Sequence, residues 1–375
     1  MRKPITHRHL YFSLFAVVCS CVLSASCGKT LAAPPPAPPT LLAVAKAYGA
    51  TTGASKPAPQ VELQKPDPRD TDETGYENDL TLALYEHNFD LLEKEADDAR
   101  TRKTRFSGGV WKISDFYEAF YQPPSKDKAT EADWTALFAA LKAWQAARPD
   151  SVTPRIALAY AYAEYGFFAR GDGYASTVNN SSWSLFNDRI GQAASTLVDA
   201  AKLKDKDPQW FEVMQVVALS QGWKKDDARE LFESAYAFEP LNYAYARRYA
   251  NYLLPKWYGD PGDAEAFGQE IADRVGGEQG DYLYFQVASV VACQCGAVQG
   301  ELSRMSWPRI RKGYAALNDL YGDSALAENR YAIMAYETSD KPTALEAFAQ
   351  IGDNWDKDVW QDRVYFDRAS NWAKQ

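Results

Sequence analysis

The side chains of this 375-residue chain that can do chemistry are carboxylates, very few histidines, and many aromatic rings. Of three histidines, His7 and His9 fall in a segment that reads as a removable leader, which leaves His87. A Ser/His/Asp or Cys/His centre would have to be built on that residue, and no G-x-S-x-G turn accompanies it. His87 beside Asn88 reads instead as a helix-end or surface residue. Neither a G-x-x-x-x-G-K-[ST] loop nor a G-x-G-x-x-G turn is present, so nucleotide chemistry has no support. The CxxC pairs of a zinc site are lacking too, so neither a metal nor a cofactor is expected. Asp353, Asp356 and Asp358 cluster without the central glycine and terminal glutamate of a calcium loop, and read as helix caps. Glu118, in Asp115-Phe116-Tyr117-Glu118, is either a helix-surface residue or a general acid raised in pKa by apolar neighbours. No catalytic residue is assigned.

The chain has 23 Tyr, 17 Phe and 11 Trp, enough rings both to wedge helices apart and to line a binding face. Trp257 and Tyr258 stand out because they sit in a loop with Gly259, Pro261 and Gly262, and loops carry function more often than the elements they join. They lead the candidate ligand contacts, with Trp111, Tyr117 and Tyr174 behind them.

The elements that position these residues read as helices. Ala228, Phe232 and Ala235 share one helix face and Pro240 closes it. The same offsets recur at Ile310, Tyr314 and Leu317, then 34 residues later at Ala344, Phe348 and Ile351; 34 residues before Ala228 lie Ala194, Val198 and Ala201. A 34-residue period with this pattern resembles the tetratricopeptide repeat, so the fold class expected is an all-α solenoid of helical hairpins. Helices are predicted over 131–148, 155–170, 183–203, 208–221, 225–238, 241–253, 263–275, 281–296, 307–321, 324–338, 342–351 and 357–373, with two more across 80–102 divided near Asn88. Asp263 is expected to cap one start, Gly276-Gly277 to end that helix, and Pro308 and Pro342 to sit in first turns.

Gly109-Val110-Trp111-Lys112 with Phe116-Tyr117-Glu118, and Lys256-Trp257-Tyr258-Gly259-Asp260 with Gly262-Asp263, together resemble a bacterial domain-of-unknown-function family of tetratricopeptide-like envelope proteins, over about residues 80 to 370. The resemblance implies a fold and an envelope address, and no activity.

The N-terminus supports that address. Arg2, Lys3 and Arg8 precede an apolar run from Tyr11 to Ala25, as in a signal peptide over 1–26. Leu23-Ser24-Ala25-Ser26-Cys27-Gly28 resembles a lipobox with its leucine one place early, which makes Cys27 a candidate for lipidation; ordinary cleavage giving a soluble periplasmic protein is the alternative. The expected location is the periplasm or the outer membrane. Residues 27–78 hold proline runs and read as a stiff tether, with a short helix at Leu41–Tyr48 inside it, ahead of a repeat domain over 79–375. Losing Arg2, Lys3 and Arg8 takes the net charge from -9 to -12, which argues against nucleic acid or an anionic lipid face as partner. Cys293 and Cys295, two apart on a helix, point away from each other and read as small buried thiols.

The function expected is a non-enzymatic envelope scaffold that binds a peptide or protein segment in a helical-repeat groove, with lipid as its only membrane contact. The alternative is an all-α glycan-cleaving enzyme with paired carboxylates across a cleft.

Overall fold

Amphipathic stripes and capped ends produce a chain that, among the residues described, is helical with no strand ladder. The computed structural model describes residues 39–50, 73–171, 175–292 and 302–375. The expected signal peptide, Cys27, the proline runs, Tyr174, Cys293 and Cys295 lie outside the described residues. In chain order the helices are α1 (Pro39–Ala50), α2 (Glu73–Tyr85), α3 (Phe89–Arg102), α4 (Lys112–Glu118), α5 (Glu131–Ala147), α6 (Thr153–Arg170), α7 (Asn180–Ala201), α8 (Gln209–Gln221) and α9 (Lys225–Phe238). They continue as α10 (Ala244–Tyr252), α11 (Asp263–Val275), α12 (Gly277–Ala292), α13 (Trp307–Tyr321), α14 (Ala325–Glu337), α15 (Lys341–Ile351), α16 (Lys357–Trp360) and α17 (Arg363–Lys374). Among the described residues no helix is long and apolar enough to cross a membrane.

The contacts divide into two units. An N-terminal unit comprises described residues up to Phe106 and Val110–Tyr249; a C-terminal unit comprises Ala250–Gln375 and takes in Ser107–Gly109. In the N-terminal unit α8 is buried nearly all round, from Trp210 and Phe211 to Ala218, and packs against α4, α6, α7 and α9. A helix apolar on every side belongs in a core. Its neighbour α9 is two-faced, acidic at Asp226 and Asp227 and buried at Ala228, Leu231, Phe232 and Ala235. In the C-terminal unit α12 plays the central part, packed against α11, α13 and α14, while α14 also carries α15. The α12–α13 crossing depends on Gly313, where a Cβ would stand 2.1 Å from the Asp281 carbonyl oxygen. Only a residue without a side chain lets the backbones approach that closely.

Several expected boundaries hold: 225–238, 263–275 and 307–321 coincide with α9, α11 and α13. Gly276 ends α11 at φ 69°, and Pro308 and Pro342 occupy first turns. Other boundaries differ for local reasons. Gly262, not Asp263, is the cap residue of α11; the Asp263 carboxylate turns back to accept from the Asp260 amide at 2.6 Å. The segment 357–373 is two helices, broken where Gln361 adopts φ 66°. The buried stripe of α7 is Ile190, Ala193, Ala194, Leu197 and Ala200, so the 34-residue frame drifts off the core face at Val198 and Ala201. The short helix expected at Leu41–Tyr48 is present as α1, but it packs against α7 and α9 with Leu41, Ala45 and Tyr48 buried instead of lying in a stiff tether, and α2 begins at Glu73, inside the tether expected over 27–78.

Candidate functional site

Within the C-terminal unit, the start of α13 rests on Ser306, whose hydroxyl accepts from the Arg309 amide, and the start of α15 on Asp340, whose carboxylate accepts from the Thr343 amide at 3.2 Å. These caps set α13, α14 and α15 around a cleft of about 470 Å³ lined by Arg311, Lys312, Tyr314, Tyr331, Glu346 and Gln350, among others. Tyr314 and Tyr331 stack in it with centroids 3.9 Å apart and planes 11° apart, and Trp307 continues the column at 5.7 Å from Tyr331. Trp307 donates its Nε1–H to Asp340 Oδ2 at 2.8 Å, and the Thr343 hydroxyl donates to the same oxygen at 2.8 Å. Burial alone would raise the Asp340 carboxyl, but these donors and Arg311, 3.8 Å away, hold it below the usual carboxylate range. Burial pushes the Tyr314 hydroxyl up to about 12, partly offset by a hydrogen bond with Asn318. The column is therefore neutral, and the exposed cations Arg311 and Lys312 line the same cleft, as does Glu346. Flat rings beside cations offer contacts to apolar and to acidic groups.

The residues singled out in the sequence lie elsewhere. Trp257 and Tyr258 are half-buried in a closed turn of the C-terminal unit: their amides donate to Leu254 and Tyr252 carbonyls at 2.8 and 3.2 Å, and Tyr258 stacks on Tyr252 at 5.0 Å. Gly259 makes the turn possible, since a Cβ there would fall 1.8 Å from the Leu253 carbonyl oxygen. In the N-terminal unit, Trp111 and Tyr117 are core residues, 2% and 0% exposed, and present no ring to a ligand. Trp111 lies under the Arg105 guanidinium, 4.4 Å from its centroid. Tyr117 donates its hydroxyl to Asp207 Oδ2 at 2.8 Å. His87 is exposed at φ 60° and stacks on Phe89, and Asp356 caps α16 through the amides of Asp358 and Val359, so both fill helix-end positions.

Glu118 has a different setting from a surface residue. It is buried at the end of α4, and its charge is felt at Tyr160 and Arg248 together with those of Glu164 and Glu212. Glu212 is satisfied: it accepts from the Ser114 hydroxyl at 2.9 Å, from Asn242 at 2.8 Å and from Arg248 at 3.4 Å. Glu164 is not, because its Oε1 is buried without a hydrogen-bond partner. Burial pushes the Glu164 carboxyl up to about 8 against the opposing pull of Arg248. No group of three or more His, Cys, Asp or Glu among the described residues converges as a metal set.

Sequence reasoning missed both Arg311–Lys312 and Glu164. The first pair looks like an ordinary solvated helix face, and Glu164 sits in an aromatic run whose partners lie more than 80 residues away at Arg248. Compared with known proteins, the chain matches no protein-family model, no curated protein and no solved structure.

Proposed function

We propose that the protein is a non-enzymatic scaffold whose α13–α15 cleft binds an extended peptide segment of a partner in the cell envelope. The observation that carries this reading is the Trp307–Tyr331–Tyr314 column flanked by Arg311 and Lys312. Stacked helical hairpins of tetratricopeptide-like character would present such a cleft as one stretch of a longer groove, and the 34-residue spacing of Ile310, Tyr314, Leu317 with Ala344, Phe348, Ile351 supports that arrangement. The basic leader and the lipobox-like Cys27 support an address beyond the inner membrane, with lipid as the anchor. Arrays of short peptides differing in acidic and aromatic content, probed with the full chain and with an Arg311→Glu, Lys312→Glu variant, test the reading. We expect acidic, aromatic-containing peptides to bind and the variant to lose at least about tenfold in affinity. No peptide bound by the wild type, or equal binding by both proteins, overturns it.

A second reading, hydrolysis of a glycan by paired carboxylates, is favoured by Glu164. An acid that keeps its proton near neutral pH beside other carboxyl groups is the arrangement a general acid and its partner need. Release of reducing ends from polysaccharide by the wild type, abolished in Glu164→Gln and Glu118→Gln, would establish it. Equal release by all three would remove it.

A further inference from the structure

The C-terminal unit carries another unusual carboxyl, at the end of α14. Glu337 has a buried Oε2 with no hydrogen-bond partner. Tyr336, the residue before it, joins two other half-exposed rings, Tyr365 and Trp372. Tyr336 meets the Trp372 ring edge to face at 5.1 Å and 84°, and Tyr365 at 6.1 Å and 72°. The Glu337 carboxyl lies within electrostatic reach of Tyr365. Trp372 already shows what these rings attract, because the ammonium of Lys341 sits 5.2 Å from its centroid. That lysine comes from the first turn of α15 and can swing away into solvent.

We propose that Tyr336, Glu337, Tyr365 and Trp372 form a binding site for an alkylammonium group, the chemistry shared by lysine, its methylated forms and choline. The site is separate from the α13–α15 cleft and does not depend on it. Ring faces attract a cation through their quadrupoles, most strongly when water is excluded. A buried carboxyl that lacks a cation supplies the complementary charge, which a neutral guest of the same shape cannot use. Burial is the one cause that holds the Glu337 carboxyl up to about 8. At neutral pH the site therefore rests protonated, and a bound cation would draw that proton off. The other charged groups in reach are Lys341 over Trp372 and Arg368 beside Tyr365, and both disfavour a second cation until Lys341 leaves.

Titration calorimetry on the full chain tests this with choline, Nε-trimethyllysine and the uncharged choline isostere 3,3-dimethyl-1-butanol. We expect at least one of the two cations to bind about tenfold or more tightly than the isostere, and to release a proton at pH 7. Preference for choline identifies a headgroup as the natural source, and preference for trimethyllysine a modified protein side chain. Glu337→Gln mimics the protonated resting acid, so it keeps the fold and loses both the cation preference and the proton release. Lys341→Ala removes the resident ammonium and strengthens cation binding, an effect that no purely structural role for these rings produces. Equal affinity for cation and isostere, no binding of either cation, or an unchanged preference in folded Glu337→Gln overturns the proposal.

Discussion

Arg100 and Asp207 lie 107 residues apart in sequence and meet at 2.8 Å, with the Asp207 side chain fully buried. The same carboxylate accepts from the Tyr117 hydroxyl at 2.8 Å, and its other oxygen accepts from the Gln209 amide at 2.8 Å. Arg100 also donates to the Thr153 hydroxyl at 3.0 Å, so this centre joins α3, α4, α6 and α8. Removing one partner of a buried pair strands the other without water. Asp207→Ala is expected to destabilise the N-terminal unit by about 3 kcal/mol, read from the urea midpoint. A loss below about 1 kcal/mol would show that water replaces the carboxylate.

Tyr48 brings α1 to the same centre. Its hydroxyl accepts from the Asp207 amide at 2.7 Å and donates to the Asp207 carbonyl, while its ring stacks on Trp210 at 4.3 Å. Tyr48→Phe keeps the stacking and strands both backbone groups, a loss of about 1 to 2 kcal/mol. Tyr48→Ala adds loss of the ring contact, and is expected to let α1 exchange its amide hydrogens rapidly while α8 stays protected.

Glu164 gives stability a pH dependence. Its carboxyl ionises near 4.5 when free and at about 8 in the fold, so between these values the native state holds a proton that the unfolded chain has lost. Stability from this group is greatest below pH 4.5 and falls by about 1.4 kcal/mol per pH unit up to pH 8. Glu337 adds a parallel slope from the C-terminal unit. Glu164→Gln is expected to be more stable than wild type at pH 8 and close to it at pH 5. Denaturation at both pH values checks this, and an unchanged slope would show that the carboxyl gains a partner in solution.

Gly259→Ala places a methyl group against the Leu253 carbonyl. The turn must open, at a cost of about 2 to 3 kcal/mol, and Tyr258 leaves its stack on Tyr252. Near-ultraviolet circular dichroism reports the lost ring order.

Trp257→Ala with Tyr258→Ala separates the turn from the cleft. Peptide binding by the folded double variant is expected to stay within about twofold of wild type. A loss matching that of the Arg311 and Lys312 variant would make the turn part of the binding face.

The sequence was most legible where a cause is local. Gly276 stops α11, Pro308 opens α13 and Asp356 caps α16 through groups a few residues away, and each was readable from its neighbours. Asn88 likewise divides α2 from α3 by accepting from the Leu91 amide. What was not readable depends on partners far along the chain. Leu41 to Tyr48 looks like a stray helix among prolines until Asp207 and Trp210 are beside it. Trp111 and Tyr117 look like binding rings because a sequence cannot show the Arg105 and Asp207 that bury them. Arg311, Lys312 and Glu337 follow the charge pattern of any solvated helix, and only the rings that α13, α14 and α17 bring near them set them apart.

The anchoring of α1 bears on how the chain acquires its form. Tyr48 and its partner Asp207 are 159 residues apart, so on a ribosome this helix is made long before the surface that receives it. It must wait, with Leu41, Ala45 and Tyr48 uncovered, until α7 to α9 have assembled. A helix of 12 residues is marginal alone in water, so its docking becomes a late, separable event in maturation. A synthetic peptide of residues 39–50 should be able to complement a chain that starts at Glu73, seating itself in the vacated slot as a ligand would.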